Sequence, residues 1–163
     1  MEIALVQPEI PPNTGNIARL CVCTGSGLAI IGKPSFSMNE AAVRRAGLDY
    51  WHLLKLEQFA DWTSFVGARK GRRLFALTRF ASRPYCEERF RTDDVLVFGS
   101  ESAGLPAEIT RGLAEHSPES LLRIPVGPDC RSLNLANAAA IVLYEALRQT
   151  GFPGLVIEAP KAR

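Results

Sequence analysis

The chain has 163 residues, 47% hydrophobic and 22% charged, with a formal net charge of +2, which is enough for one domain with a sizeable core and ordinary for a globular protein. No apolar run is long enough to cross a bilayer, and the start MEIALVQPEIPP lacks the basic and apolar regions of a secretory signal, so a cytoplasmic protein is expected. A charge this near neutrality does not by itself argue for nucleic acid.

Ile3–Val6 reads as a buried strand, ended by a segment in which Pro11 and Pro12 are read as excluding both helix and inner strand. Asn13 is placed as the cap of a helix whose apolar stripe is Ile17, Leu20, Cys21 and Thr24, with Asn16 and Arg19 together on another face. Gly25 and Gly27 close that helix, and Leu28–Ile31 is a second strand. Glu40–Leu48 reads as a short helix carrying Arg44 and Arg45, Leu53–Leu56 as a strand, and Phe59, Trp62, Phe65 and Val66 as the core-facing stripe of a helix. Leu74–Thr78 is a strand. The stretch Arg79–Arg91 stays open, with Pro84 able to start a short helix at its first position. Val95–Phe98 has no polar residue, as expected of a strand covered on both faces. It runs into Gly99–Pro106, with Pro106 in the first turn of a helix that carries Ile109 and Leu113.

Leu121–Pro125 is a short strand pattern, and Gly127-Pro128-Asp129 is turn chemistry. Apolar residues then recur at positions 135, 138, 139, 142, 143, 146 and 147, the spacing of an amphipathic helix. Asn134 stands at its N-cap, and Gly151 and Pro153 follow its end. Strands alternating with helices predict an α/β fold, a mostly parallel sheet with helices on both faces. Residues 1–154 are read as a single domain and 155–163 as a loosely held tail.

Three loops stand at the carboxyl ends of strands, where open α/β sheets bind ligands: Gln7–Asn16, Gly99–Pro106 and Val126–Asn134. Rich in Gly, Pro and small polar residues, they describe a pocket built largely from backbone amides, which suits a nucleoside better than a metal. No CxxC pair or histidine set joins Cys21, Cys23, Cys86, Cys130, His52 and His116, so no metal is expected and the thiols are read as reduced. Neither GxGxxG nor GxxxxGK[ST] is present, which argues against dinucleotide binding and nucleotide hydrolysis. Ser100–Gly104 imitates a GxSxG nucleophile elbow, but no glycine stands two residues before Ser102 and His116 has no paired acid. Between Arg69 and Arg91 lie Arg69, Lys70, Arg72, Arg73, Arg79, Arg83, Arg89 and Arg91 against Glu87 and Glu88. Such a run is a solvated charged face or a phosphate-binding surface.

NTGNIARL at 13–20, FGSESAGLP at 98–106, and RIP at 123–125 running on to RSLNLANA at 131–138 resemble, in order and separation, the three motifs of the SPOUT methyltransferases. PEIPPNTGNIARLC and RRAGLDYW are similar to segments of the small tRNA (cytidine/uridine-34)-2′-O-methyltransferases, which modify the wobble nucleotide. The resemblance implies a C-terminal deep trefoil knot, S-adenosylmethionine as cofactor, a homodimer, and an active site completed across the interface. The tRNA anticodon stem-loop is the implied partner, with neither membrane nor DNA expected. By matched position it places functional residues at Asn13, Arg19, Glu101, Ser132 and Asn134, with Leu77, Gly99, Ile124 and Ser132 holding the cofactor. Arg19 is read as gripping a phosphate or polarising the hydroxyl, because arginine does not deprotonate in proteins. The chain departs from close relatives at Ser100 and Ala103, where proline and arginine are usual. Two alternatives accompany this reading: 2′-O-methylation at another tRNA or rRNA position, and a non-catalytic RNA-binding or assembly factor working through the Arg69–Arg91 surface.

Overall fold

A computed structural model describes residues 1–36 and 51–158; the helix expected at Glu40–Leu48, with Arg44 and Arg45, lies outside them. Six parallel strands form one sheet in the order β3-β2-β1-β5-β4-β6. They are β1 (Glu2–Val6), β2 (Gly27–Ile31), β3 (Leu56–Phe59), β4 (Leu74–Leu77), β5 (Val95–Phe98) and β6 (Leu121–Leu122). Side chains alternate across it. Ile3, Leu5, Leu28, Ile30, Leu96 and Phe98 face one core, completed by Ile17, Ala18 and Cys21 of α1 (Pro11–Thr24) and by Ala139, Val142, Leu143, Ala146 and Leu147 of α4 (Leu135–Gln149). Ala4, Val6, Ala29, Ile31, Val95 and Val97 face the other, completed by Phe65 of α2 (Trp62–Ala68) and by Ile109 and Leu113 of α3 (Ala107–His116). Both faces are covered, so the central strands are apolar apart from Glu2 at the start of β1, and each fully buried Leu or Ile contributes about 1.5–3 kcal/mol of burial free energy.

The start of α1 corrects the expectation for its prolines. Pro11 and Pro12 occupy the first helical positions, Ile10 is the N-cap, and Asn13 lies inside the helix. The first-turn amides have no intrahelical acceptor, so proline forfeits nothing there and its fixed φ favours the start. This frees the Asn13 side chain for other partners. Gly25, at φ 67°, closes the helix in the left-handed conformation.

The third strand begins later than expected, since Trp51–Leu53 form a 3₁₀ turn and β3 covers Leu56–Phe59. Phe59 therefore ends a strand, while Asp61 caps α2 by accepting from the Ser64 N–H at 2.8 Å. Phe59 still meets Phe65 edge-on, at 5.3 Å between centroids, but Val66 is exposed. Pro84 and Pro106 precede their helical turns as N-caps and do not open them.

Half of the basic run is structural. The buried Arg69 guanidinium grips Glu2 at 2.6–3.1 Å and reaches Glu57 at 2.6 Å, and Arg72 also bonds Glu2. Arg73 pairs with the buried Asp94 at 2.6 Å and with Glu88 at 3.0 Å, which Arg83 also holds at 2.6 Å. Glu2 and Asp94, distant in sequence or outside the run, supply counter-charges that local composition hides. Lys70, Arg79, Arg89 and Arg91 remain exposed.

The last helix packs against α1 and is tied to the β4–β5 connection. Gln149 accepts from the Phe90 N–H at 2.9 Å and donates to the Glu88 carbonyl at 3.0 Å. Beyond it, Phe152 and Leu155 pack on the core, whereas Val156 and Ile157 are exposed. No helix among the described residues is long and apolar enough to cross a membrane.

Candidate active site

The loops after β1, β5 and β6 converge beside the end of β4 on a cavity of about 760 Å³. That is within the usual size of a small-molecule site. Leu77, Phe98, Leu105, Ile124, Leu135 and Ala138 give it apolar walls, and Asn13, Glu101, Ser132 and Asn134 add polar groups.

Closure of the β5 loop depends on Gly99. A Cβ there would lie 2.0 Å from the Gly104 carbonyl carbon and 2.2 Å from the Leu105 nitrogen. The loop can therefore fold onto itself, with Ser100 and Gly104 exchanging backbone hydrogen bonds at 3.1 and 2.9 Å. Ser100 Oγ also accepts from the Ala103 N–H at 3.3 Å, so the serine that departs from the motif helps to hold its turn. Ala103 lines the cavity as a methyl group.

Two carboxylates lace this loop to the one after β1. Glu101 accepts from the N–H groups of Glu9 at 2.8 Å and Ile10 at 3.2 Å, and from Asn13 Nδ2 at 2.9 Å. Glu9 reciprocates, accepting from the Ser102 hydroxyl at 2.8 Å and its N–H at 3.0 Å. These two bonds from Ser102, the hydroxyl foremost, hold the Glu9 carboxyl below its ordinary range.

The third loop is joined through asparagine. Asn134 Nδ2 donates to Asn13 Oδ1 at 2.9 Å, while Asn134 Oδ1 accepts from the Ala136 and Asn137 N–H groups at 2.9 and 3.3 Å. Asn134 is thus the expected N-cap of α4 and also the link between two loops. Ser132 is exposed on the cavity wall.

Arg19 is the one expected residue that stands apart. It is exposed on α1 and lines a separate depression of about 320 Å³ with Asn16, Leu20, Cys23, Ala136, Asn137 and Ala140, between α1 and α4. Conversely, the cavity holds three arginines that sequence reasoning did not single out as site residues: Arg79, Arg123 and Arg131. None forms an ion pair among the described residues, and Arg123 Nε is buried without a hydrogen-bond partner. Their setting is anion-seeking. The RIP and RSLN stretches contained the signal for Arg123 and Arg131, but only the fold separates them from the ion-paired arginines.

The sequence profile described as the SpoU rRNA Methylase family matches residues 1–144. The chain is 46% identical over 155 residues to a tRNA (cytidine(34)-2′-O)-methyltransferase of Methylovorus glucosotrophus, covering 95% of this chain and 99% of that protein. It is 45% identical over 157 residues to the Escherichia coli K12 protein of the same description, covering 96% and 98%. A solved structure concerning the 2-OH methylation of C/U34 on tRNA superposes with a TM-score of 0.84 at 40% identity, over 92% of this chain and 95% of the other. The SpoU methyltransferase AviRb from Streptomyces viridochromogenes, in complex with the cofactor AdoMet, superposes at 0.80 with 25% identity, over 92% of this chain and 60% of its own.

Proposed function

Since this chain belongs to the SpoU rRNA methylase family, we propose that it transfers a methyl group from S-adenosylmethionine to the ribose 2′-hydroxyl of nucleotide 34, cytidine or uridine, in tRNA. The observation that carries this reading is the cavity laced by Glu101, Asn13 and Asn134, built from the three segments that form the family motifs. The cofactor fits the residues present. Leu77 and Ile124 offer an apolar slot for adenine. The N–H groups of Val126, Asp129, Arg131, Ser132 and Leu133 make no backbone hydrogen bond among the described residues, which leaves donors for its polar edges. Gly99 keeps the β5 loop folded against that slot, and Ser132 adds a hydroxyl.

S-adenosylmethionine supplies an electrophilic methyl group bonded to a sulfonium. The protein's part is to hold the ribose hydroxyl in line with it, and such positioning supplies much of the rate in a bimolecular transfer. Glu101 fixes Asn13, Asn13 fixes Asn134, and the three loops keep one geometry. Arginine side chains do not serve as bases in proteins, so the role of Arg19 is to grip the phosphate or polarise the hydroxyl. The hydroxyl proton leaves through a neighbouring group or water.

The protein acts as a homodimer through α1 and α4, with Arg19 serving the cavity of the second copy. Arg19 standing off its own cavity supports this, as do the exposed Ile141 and Tyr144 of α4 and the small Ala136 and Ala140 beside Arg19. The C-terminal segment completes the trefoil knot, with Gln149 tying α4 to the β4–β5 connection, and the site of action is the cytoplasm. Calorimetry with S-adenosylhomocysteine is expected to show one site per chain. Transfer of labelled methyl groups to tRNA is expected to follow. Absence of binding at millimolar ligand would favour the assembly-factor reading.

A further inference from the structure

Phe80 is 81% exposed, although the turn that carries it is held from several sides. The Thr78 N–H donates to the Leu122 carbonyl at 2.9 Å, the Thr78 hydroxyl accepts from the Phe80 N–H at 3.3 Å, and the Thr78 carbonyl accepts from the N–H of the buried Ala81 at 3.3 Å. The guanidinium of Arg79 lies over the Phe80 ring, 4.6 Å from its centroid. Arg79 has no ion pair among the described residues, and both residues line the cavity that holds Asn13 and Asn134. A lone exposed aromatic needs no explanation. One that is held by a pinned turn, backed by an unpaired guanidinium and set at the rim of the active cavity is a built surface.

The geometry points to Phe80 as the stacking platform for the unpaired base of the nucleotide being methylated, with Arg79 contacting the adjoining phosphate. Stacking on an aromatic ring is tolerant of base identity because every base offers a π-face. It therefore suits a site that accepts either cytosine or uracil and does its chemistry on the ribose. The adenine of the cofactor is the other aromatic ligand of this cavity, but the partly buried Leu77 and Ile124 suit it better than a rim ring open to water. This inference rests on the methyl-transfer reading for the identity of the base, and on the turn geometry alone for the stacking.

The test uses the intact protein and a fluorescein-labelled anticodon stem-loop whose binding is followed by anisotropy. Stacking of this kind corresponds to roughly a 5- to 150-fold change in affinity per base. Phe80→Ala and Phe80→Leu are expected to weaken binding about tenfold, with the salt dependence unchanged, and Phe80→Trp to retain it. Arg79→Ala should lower the salt slope by about one. S-adenosylhomocysteine affinity, measured beside these, should not move. Wild-type affinity in Phe80→Leu overturns the platform, as does an absence of stem-loop binding by the wild type. Loss of S-adenosylhomocysteine affinity in Phe80→Ala assigns the ring to the cofactor and also overturns it. If the wild type binds with this dependence on Phe80 but leaves nucleotide 34 unmethylated, the stacking site stands and the functional reading falls.

Discussion

An ionised carboxylate only accepts hydrogen bonds, and the N-terminus of a helix only donates them. Between Glu101 and the start of α4 those two facts orient both asparagines. Asn13 must turn Nδ2 toward Glu101, so its Oδ1 faces Asn134, which must donate through Nδ2 and keep Oδ1 for the Ala136 and Asn137 N–H groups. Asn134→Asp separates this network from plain capping, since aspartate caps helices as well as asparagine does. An aspartate would oppose the Asn13 oxygen, and flipping Asn13 would only move the clash to Glu101. Asn134→Ala loses a cap worth about 1 kcal/mol and leaves the Asn13 oxygen unpaired, at about 1–3 kcal/mol. Thermal denaturation of both variants should show Asn134→Asp no more stable than Asn134→Ala, with methyl transfer impaired in each. An aspartate variant with wild-type stability would reduce Asn134 to a cap. The sequence made the cap legible from its place before an apolar stripe. The second partner was hidden because Asn13 is 121 residues away and was itself expected to be capping α1. Arg19→Lys tests the other polar role. A bidentate grip is lost with the planar fork, so turnover should fall nearly as far as in Arg19→Ala while S-adenosylhomocysteine binding holds. Lysine rescue that improves at low salt would leave Arg19 as a diffuse surface charge.

The β5 loop and α1 show how local chemistry and packing divide the work. In Gly99→Ala the new methyl group meets backbone atoms at 2.0–2.3 Å, which cannot move as a side-chain end would. The loop must open, and chemical denaturation should reveal a loss of more than about 3 kcal/mol, together with loss of cofactor binding. Near-wild-type stability would mean that the loop closes in another way. In α1, periodicity revealed the buried stripe but not the first turn, because proline's exclusion from helix interiors does not extend to a turn whose amides are unpaired anyway. The same helix buries Cys21 completely, and desolvation pushes its thiol up to about 12. Iodoacetamide near pH 8 should alkylate the exposed Cys86 and Cys130 in the native protein, and Cys21 only after unfolding. In the unfolded chain this thiol ionises near 9.0. The stability tied to it is therefore whole below pH 9 and is lost as pH rises toward 12. Native-state labelling of Cys21 would show that α1 opens locally.

Across the molecule, alternating strands and helices made the parallel sheet legible, since each covered strand is a short apolar run between polar turns. The strand order was not, because β6 pairs over only two residues and is positioned by its neighbours. Nor was the use of the basic run, whose counter-charges include Glu2 on β1. Arg69→Ala should destabilise the fold by about 3–5 kcal/mol, by leaving Glu2 buried with less compensation. It should leave the salt dependence of RNA binding unchanged, and a reduced slope would return Arg69 to the RNA surface. In the proposed dimer, the depression beside Arg19 of one copy would complete the cavity of the other. Sedimentation should find a dimer at micromolar concentration, and mixing inactive Arg19→Ala with inactive Asn134→Ala chains should restore part of the activity, because one mixed cavity combines both intact residues. Absence of recovery after verified subunit exchange would place Arg19 in its own chain's cavity. Mass-spectrometric mapping of tRNA methylated by the purified protein tests most directly whether the ribose of nucleotide 34 is the methyl acceptor. The predicted result is a single 2′-O-methyl group on nucleotide 34; a methyl group on a base or another nucleotide, or none despite S-adenosylhomocysteine binding, would contradict it.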